Sequence, residues 1–395
     1  MKYFYLPITQ NIIEPSNIII DINNTNSIIM SFSINHYLND SKNKINLYSS
    51  IWDDFKKYTN QYEFIHTQIP LLKNSVSKIK PLSRSYFKLI EIINSFNLLK
   101  DVISPIETFH LAEGPGGFIE AVAHLRKNPA DKYTGITLID TDSSIPNWNK
   151  CKDVMKKYPN IIIEFGKDGT GDILSPSNLK HCYEKYANKM ELITGDGGFD
   201  FSIDFNNQES LASNLLFAEV CYAILLQKKS GSFVVKFFDI FHNVTLQLLY
   251  LLNSFYSSVI ITKPLTSRPA NSEKYIVCKD FKYSDTSQFF NVFYNVFQNN
   301  NLKTCHLISI LNIQIPYIFK IKVEEVNTVL AQNQIENINQ TIDFINLHST
   351  SKTSEKMDTI KKKHVAKCVE WCIKNNIPYN TTYIYNNYYD GINKY

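Results

Sequence analysis

Residues 111–121 read LAEGPGGFIEA. An apolar run (103–111) leads into this loop, and a segment with helical periodicity (118–127) leads out of it. In open α/β sheets such a strand–loop–helix junction is a ligand site, because the turn and the N-terminus of the helix present backbone N–H groups beyond the carboxyl end of the strand. A dinucleotide fingerprint requires a third glycine in GxGxxG. Here Gly114 and Gly116 fit, but Ile119 stands at the third position, which argues against a nicotinamide cofactor. Pro115 stiffens the turn.

Around this loop the pattern is regular from about residue 81 to 282. Strand candidates at 107–111, 133–139, 161–165, 191–195, 232–238, 259–262 and 275–278 alternate with helical segments at 118–127, 147–158, 176–187, 209–228 and 240–254. That alternation predicts an α/β fold, a seven-stranded mostly parallel sheet flanked by helices. No helix separates the last two strand candidates, only KPLTSRPANSEK, so one antiparallel strand is expected there. The chain then divides into an N-terminal extension (1–80), the α/β domain (81–282) and a mostly helical C-terminal extension (283–395). Within the first extension, 17–20 and 27–34 look like strands and 51–58 like a helix.

Four charged residues sit on separate elements around the loop: Lys88, Asp196, Lys236 and Glu273. Two lysines beside two acids suit removal of a proton from a weakly acidic hydroxyl. A lysine acts as a base only when its pKa falls from about 10.4, and both a second lysine and burial push it that way. The bland alternative is a pair of surface salt bridges.

Composition bounds the rest. The chain has 395 residues, 44% hydrophobic and 20% charged, with a net charge of +4. That permits an RNA partner and requires any basic groove to be local. The seven cysteines form no CxxC pair, which predicts a reduced, intracellular protein; the cytoplasm is favoured (a virus factory or virion for a viral chain), and the nucleus is expected for a cellular one. His364, Cys368 and Cys372 share a helix face, where buried thiols explain the spacing better than a metal does; no metal is expected. The N-terminus lacks a signal-peptide pattern, and the apolar stretch 244–262 is broken by Gln247, Asn253 and Ser254, so no membrane association is expected.

The strings SRSYFKL, EGPGGF, TGDGGF, FVVKFFD and TSRPANSEKYIVCK resemble the FtsJ-like RNA 2'-O-methyltransferases, and within them the cap-specific mRNA nucleoside-2'-O-methyltransferases of eukaryotes and large DNA viruses. The string GTGDILSPSNL (169–179) and the helical end (345–378) are similar to the same branch. Heavy use of Asn, Ile, Lys and Tyr fits an AT-rich coding sequence, as in large DNA viruses and some protists. The resemblance implies a Rossmann-like fold, S-adenosyl-L-methionine as methyl donor, and Lys88, Asp196, Lys236 and Glu273 as a catalytic tetrad. It implies that Glu113, Gly114, Pro115, Gly116, Gly117 and Phe118 approach the donor with Asp196. Asp140 falls at its ribose and Asp172 at its adenine. Ser267 and Arg268 are the expected RNA contacts. The family carries an acid where this chain has His110. The expected substrate is the capped 5' end of mRNA, methylated on the first transcribed nucleotide, with other capping or transcription proteins as partners. The rival readings are ribosomal or transfer RNA as acceptor, and an inactive RNA-binding subunit.

Overall fold

The computed structural model describes residues 1–9, 12–22, 30–100, 102–139, 147–198, 206–348 and 353–381. Ten strands occur among them: β1 (Lys2–Tyr5), β2 (Ile18–Asp21), β3 (Glu107–Leu111), β4 (Lys132–Ile136), β5 (Ile161–Glu164), β6 (Met190–Gly195), β7 (Gln227–Phe237), β8 (Tyr256–Lys263), β9 (Lys274–Phe281) and β10 (Ser309–Leu311). Eight of them form one sheet in the order β1-β8-β9-β7-β6-β3-β4-β5. The central pairs are parallel; β9 runs against both β7 and β8. The seven predicted strands are all present. The eighth, β1, pairs antiparallel with β8 from inside the N-terminal segment. The strand expected at 17–20 is β2, shifted by one residue to 18–21, and it lies in a separate two-stranded sheet with β10. The predicted strand at 27–34 is corrected: from residue 32 it is the helix Phe32–Ile45, and 27–29 lie outside the described residues.

The helix Gln208–Leu226 is long and apolar enough to cross a membrane, yet most of it is buried inside the fold. A helix apolar on every face needs cover on every face. Here the cover comes from β7 and from the helices Pro176–Tyr186, Asn243–Phe255 and Ser287–Asn299. The 32-residue helix Tyr317–His348 packs on the N-terminal helices Phe32–Ile45 and Ser49–Thr59, with Trp52, Phe55, Phe344 and Ile345 in the seam. The two terminal segments thus meet beside the 264–273 loop that joins β8 to β9.

The strand order turns back on either side of β3, between β6 and β4, which is where an open sheet of this kind holds its ligand. Leu111 and Gly195 pair across the last rung, and Asp196 N donates to Leu111 O at 3.3 Å. The glycine loop and Asp196 therefore start from the same point.

Candidate active site

The structure brings the four predicted residues together as two ion pairs, one buried and one partly buried. Lys88, on the helix Ser85–Phe96, donates from Nζ to Glu273 Oε2 at 2.7 Å. Lys236, on β7, lies 3.3 Å from Asp196 Oδ1 and donates to the Asp196 carbonyl at 2.7 Å. Tyr275 links the pairs. It faces Lys236 across the β7–β9 ladder, its hydroxyl donates to Asp196 Oδ1 at 3.1 Å, and the Lys88 ammonium lies 5.9 Å from its ring centre. Neither pair is the surface bridge of the bland alternative; Lys88 is 8% exposed and Glu273 9%, and Lys236 and Asp196 are partly buried.

The electrostatics differ from the sequence expectation in one respect. Burial lowers the Lys236 pKa, but the Asp196, Glu273 and Glu219 carboxylates outweigh it and hold the ammonium above its ordinary value. Lys88, paired with Glu273, is not among the main charges that act on Lys236. Burial alone would raise the Glu273 carboxyl; Lys88, Lys236 and Lys263 reverse that and bring it down to about 2.

The Glu273 loop is fastened from several sides. Ser267 Oγ donates to Glu273 Oε1 at 2.8 Å, so Ser267 orients the acid. Arg268 is held by Glu63 at 2.9 Å, alongside Arg84 on the same carboxylate. Lys263 Nζ donates to Asn271 O, Asn271 Oδ1 and Glu273 O at 2.7, 2.9 and 2.7 Å. Asp239 joins Lys42 of the N-terminal helix to Lys274 at 2.7 and 3.0 Å. Tyr275, Lys263 and Glu219 escape sequence reasoning, since nothing local marks them.

In the glycine loop, Glu113 Oε1 caps the helix Gly117–Arg126 by accepting from Phe118 N and from Ile119 N. Burial pushes this carboxyl far up, toward the neutral form, and its Oε2 has no partner among the described residues. Gly114 N donates to Thr137 Oγ1 at 3.1 Å. The Phe118 side chain is wholly buried, 5.9 Å from the Tyr275 ring, and belongs to the core. Gly116 has φ +108°, and a Cβ there would touch Cys151, Ile119 and Leu82 at 3.3 Å; one on Gly117 would overlap the Ser83 and Ser85 hydroxyls. These glycines answer to backbone conformation and protein packing as well as to any ligand. Gly116→Val is accordingly expected to lower stability by roughly 1–3 kcal/mol, read from urea melts, in addition to weakening donor binding.

His110 is a core residue. It is fully buried on β3, with Nε2 2.9 Å from Thr108 Oγ1 and Nδ1 2.7 Å from Thr194 Oγ1, and burial drives its pKa down to about 3. It staples β3 to β6 in its neutral form. Asp172 accepts from Leu174 N and pairs with Lys303 at 2.6 Å, beside a cavity of about 300 Å³ that Leu138, Ile139 and Phe297 also line. Asp140 lies outside the described residues. His364, Cys368 and Cys372 turn inward toward the core, with the His364 ring 6.3 Å from Phe64.

The sequence is 31% identical over 274 residues to a zebrafish (Danio rerio) cap-specific mRNA (nucleoside-2'-O-)-methyltransferase 2, covering 63% of this chain and 35% of that one. It is 28% identical over 361 residues to a Dictyostelium discoideum cap-specific mRNA (nucleoside-2'-O-)-methyltransferase 1, covering 84% and 44%. The human protein of the latter name is 34% identical over 179 residues, covering 43% and 21%. The chain thus spans less than half the length of these relatives. The FtsJ-like methyltransferase family matches residues 81–281, a stretch that carries all four residues of the two ion pairs, and the chain belongs to that family.

Proposed function

We propose that this protein transfers a methyl group from S-adenosylmethionine to a ribose 2'-hydroxyl of capped mRNA, that of the first transcribed nucleotide. The observation that carries the reading is the pairing of Lys88 with Glu273 and of Lys236 with Asp196 at one edge of the sheet. A ribose hydroxyl is a poor nucleophile until a base takes its proton, and general-base catalysis is worth about 10²–10⁴ in rate. Lys236 is the base. Asp196 holds its amine in place, while Lys88, fixed by Glu273, adds a positive charge beside the alkoxide that forms.

Lys236 must first lose a proton. Three carboxylates hold it protonated, so one of them has to be offset by added positive charge. The residues present fit the donor: Glu113 offers a buried oxygen without a partner near Asp196 and Lys236, which an ammonium group would hold in the ionised, accepting form. Asp172, at the mouth of its cavity, suits an adenine amino group. When bound, S-adenosylmethionine supplies an electrophilic methyl on a positively charged sulfur. The buried thiols fit a reducing compartment.

We assign the capped end to a cavity beside the Glu273 loop. About 370 Å³ in volume, it adjoins the 268–272 loop and is lined by Trp52, Asp53, Lys42, Lys56, Asn271 and Asn337. An N7-methylated guanine is a flat cation, which an indole face and a carboxylate both favour. Trp52→Phe, chosen because Trp52 also packs against the C-terminal helix, is expected to raise the KM for capped RNA severalfold and to leave uncapped RNA unaffected. Stacking on such a ring contributes about 1–3 kcal/mol.

The deciding experiment is methyl transfer to short capped and uncapped RNAs, followed by nuclease mapping of the product. Capped RNA methylated at the first nucleotide supports the reading. Equal use of both RNAs, or methylation inside a structured RNA, transfers the argument to a ribosomal or transfer RNA acceptor.

A further inference from the structure

Asp196 stands in a strap of glycines, Gly195-Asp196-Gly197-Gly198. A Cβ on Gly195 would come 2.8 Å from Glu219 Oε1, and one on Gly197 would come 2.7 Å from the same atom. A Cβ on Gly198 would instead come 3.1 Å from Lys236 Nζ. The strap is therefore flanked by Glu219 at 195 and 197, and by Lys236 at 196 and 198. Glu219 comes from the middle of the apolar helix Gln208–Leu226 and has no exposed surface. Its Oε1 accepts from Gly197 N at 3.1 Å, and its Oε2 has no partner among the described residues.

A carboxyl half-satisfied in an apolar helix is expensive. Leucine there would seal the core more cheaply, so packing does not explain the residue. The groups that face it do. Lys236 is surrounded by Asp196 from the end of β6, Glu273 from the β8–β9 loop, Glu113 from the glycine loop and Glu219 from the helix. Glu219 in turn feels Lys236, Asp196 and the Gly197 N–H.

We infer that Glu219 is a positioning residue for the methyl transfer: its carboxyl fixes the 195–198 strap, and so Asp196, against Lys236, and its charge governs how readily Lys236 gives up a proton. The inference rests on the methyl-transfer reading but not on which RNA accepts the methyl. The sign follows from charge. Burial raises the Glu219 carboxyl to about 8, and once ionised it stabilises the Lys236 ammonium. Removing that charge lowers the Lys236 pKa, so the base becomes available at lower pH.

The test uses the full chain with Glu219→Gln and Glu219→Leu. Glutamine keeps the acceptor for Gly197 N and removes the charge. It is expected to hold kcat within about threefold at the optimum while moving the acid limb of the kcat–pH profile down by about half a unit or more. Leucine removes the acceptor and is expected to lower kcat by about 10–100-fold, with both KM values within about twofold. The ¹⁵N titration of lysine Nζ in the donor-free protein, with the Lys236 signal assigned by its loss in Lys236→Arg, is expected to show a lower midpoint in Glu219→Gln. A merely structural Glu219 would change the melting midpoint and leave both the pH profile and the Lys236 titration where they were, which overturns the inference. If the wild-type protein methylates no RNA at all, the functional reading falls by itself; the Lys236 titration then still decides whether Glu219 and Lys236 are coupled.

Discussion

Lys236→Met is expected to cut methyl transfer by about a thousandfold or more, the range general-base catalysis supplies, while donor affinity stays within about threefold. The amine is the only atom removed from the reaction, whereas the contacts proposed for the donor lie on the glycine loop and at Asp172. Methionine also leaves Asp196 without its cation, so part of any loss could come from a loosened site. Lys236→Arg separates the two effects. Arginine keeps a positive charge for Asp196 and Glu273 but does not deprotonate in a protein. It should therefore retain the wild-type melting midpoint and still be inactive. Single-turnover transfer, donor calorimetry and thermal melts decide the matter together. Transfer by either variant within about tenfold of wild type, a loss of only about 1.4 kcal/mol in transition-state stabilisation, removes Lys236 from the role of base.

The parts of this site that the sequence discloses are those set by local pattern. β3 matches its predicted bounds because an apolar run ends on a glycine turn, and Asp196 falls at a strand end for the same reason; Lys236 stands one residue before the end of β7. β1 went unseen because KYFY is a four-residue edge strand with Tyr3 and Tyr5 half exposed; what makes it a strand is β8, more than 250 positions later. The error at 27–34 has a related origin. SIIMSFSI is rich in β-branched residues, but the helix begun at Phe32 gains its stability from packing on Tyr317–His348, and tertiary burial overrides local preference.

Interaction partners are less legible than positions. The sequence placed Lys88 and Glu273 near each other, but only the fold shows that they pair with one another and thereby leave Lys236 under the influence of three carboxylates. Ser267 and Arg268 stand in a loop that looks RNA-facing, and each proves to be engaged internally, one by Glu273 and the other by Glu63. His110 looked like a damaged cofactor ligand; its two threonine partners sit on β3 itself and on β6, and no sequence pattern ties Thr194 to it.

Lys88→Met is expected to be the most destabilising of the tetrad substitutions. Removing one partner of a buried ion pair costs about 3–5 kcal/mol, because the other charge stays behind. The pair also leaves a signature in pH. The Glu273 carboxyl titrates near 4.5 when unfolded and near 2 when folded, so its contribution is fully present above about pH 4.5 and is lost as the pH falls through 2. At about 1.4 kcal/mol per unit, that contribution is ~3 kcal/mol. Urea melts of the wild type between pH 7 and pH 3 should therefore show stability falling on the acid side. In Lys88→Met the Glu273 pKa rises toward its unfolded value, so the protein is weaker at pH 7 and its acid slope is shallower. Lys132→Met, which breaks an exposed bridge to Glu107, serves as the control and should change neither quantity measurably. A Lys88→Met protein as stable as wild type at pH 7, with an unchanged acid slope, would mean that the Lys88–Glu273 pair does not hold the β8–β9 loop against the helix Ser85–Phe96.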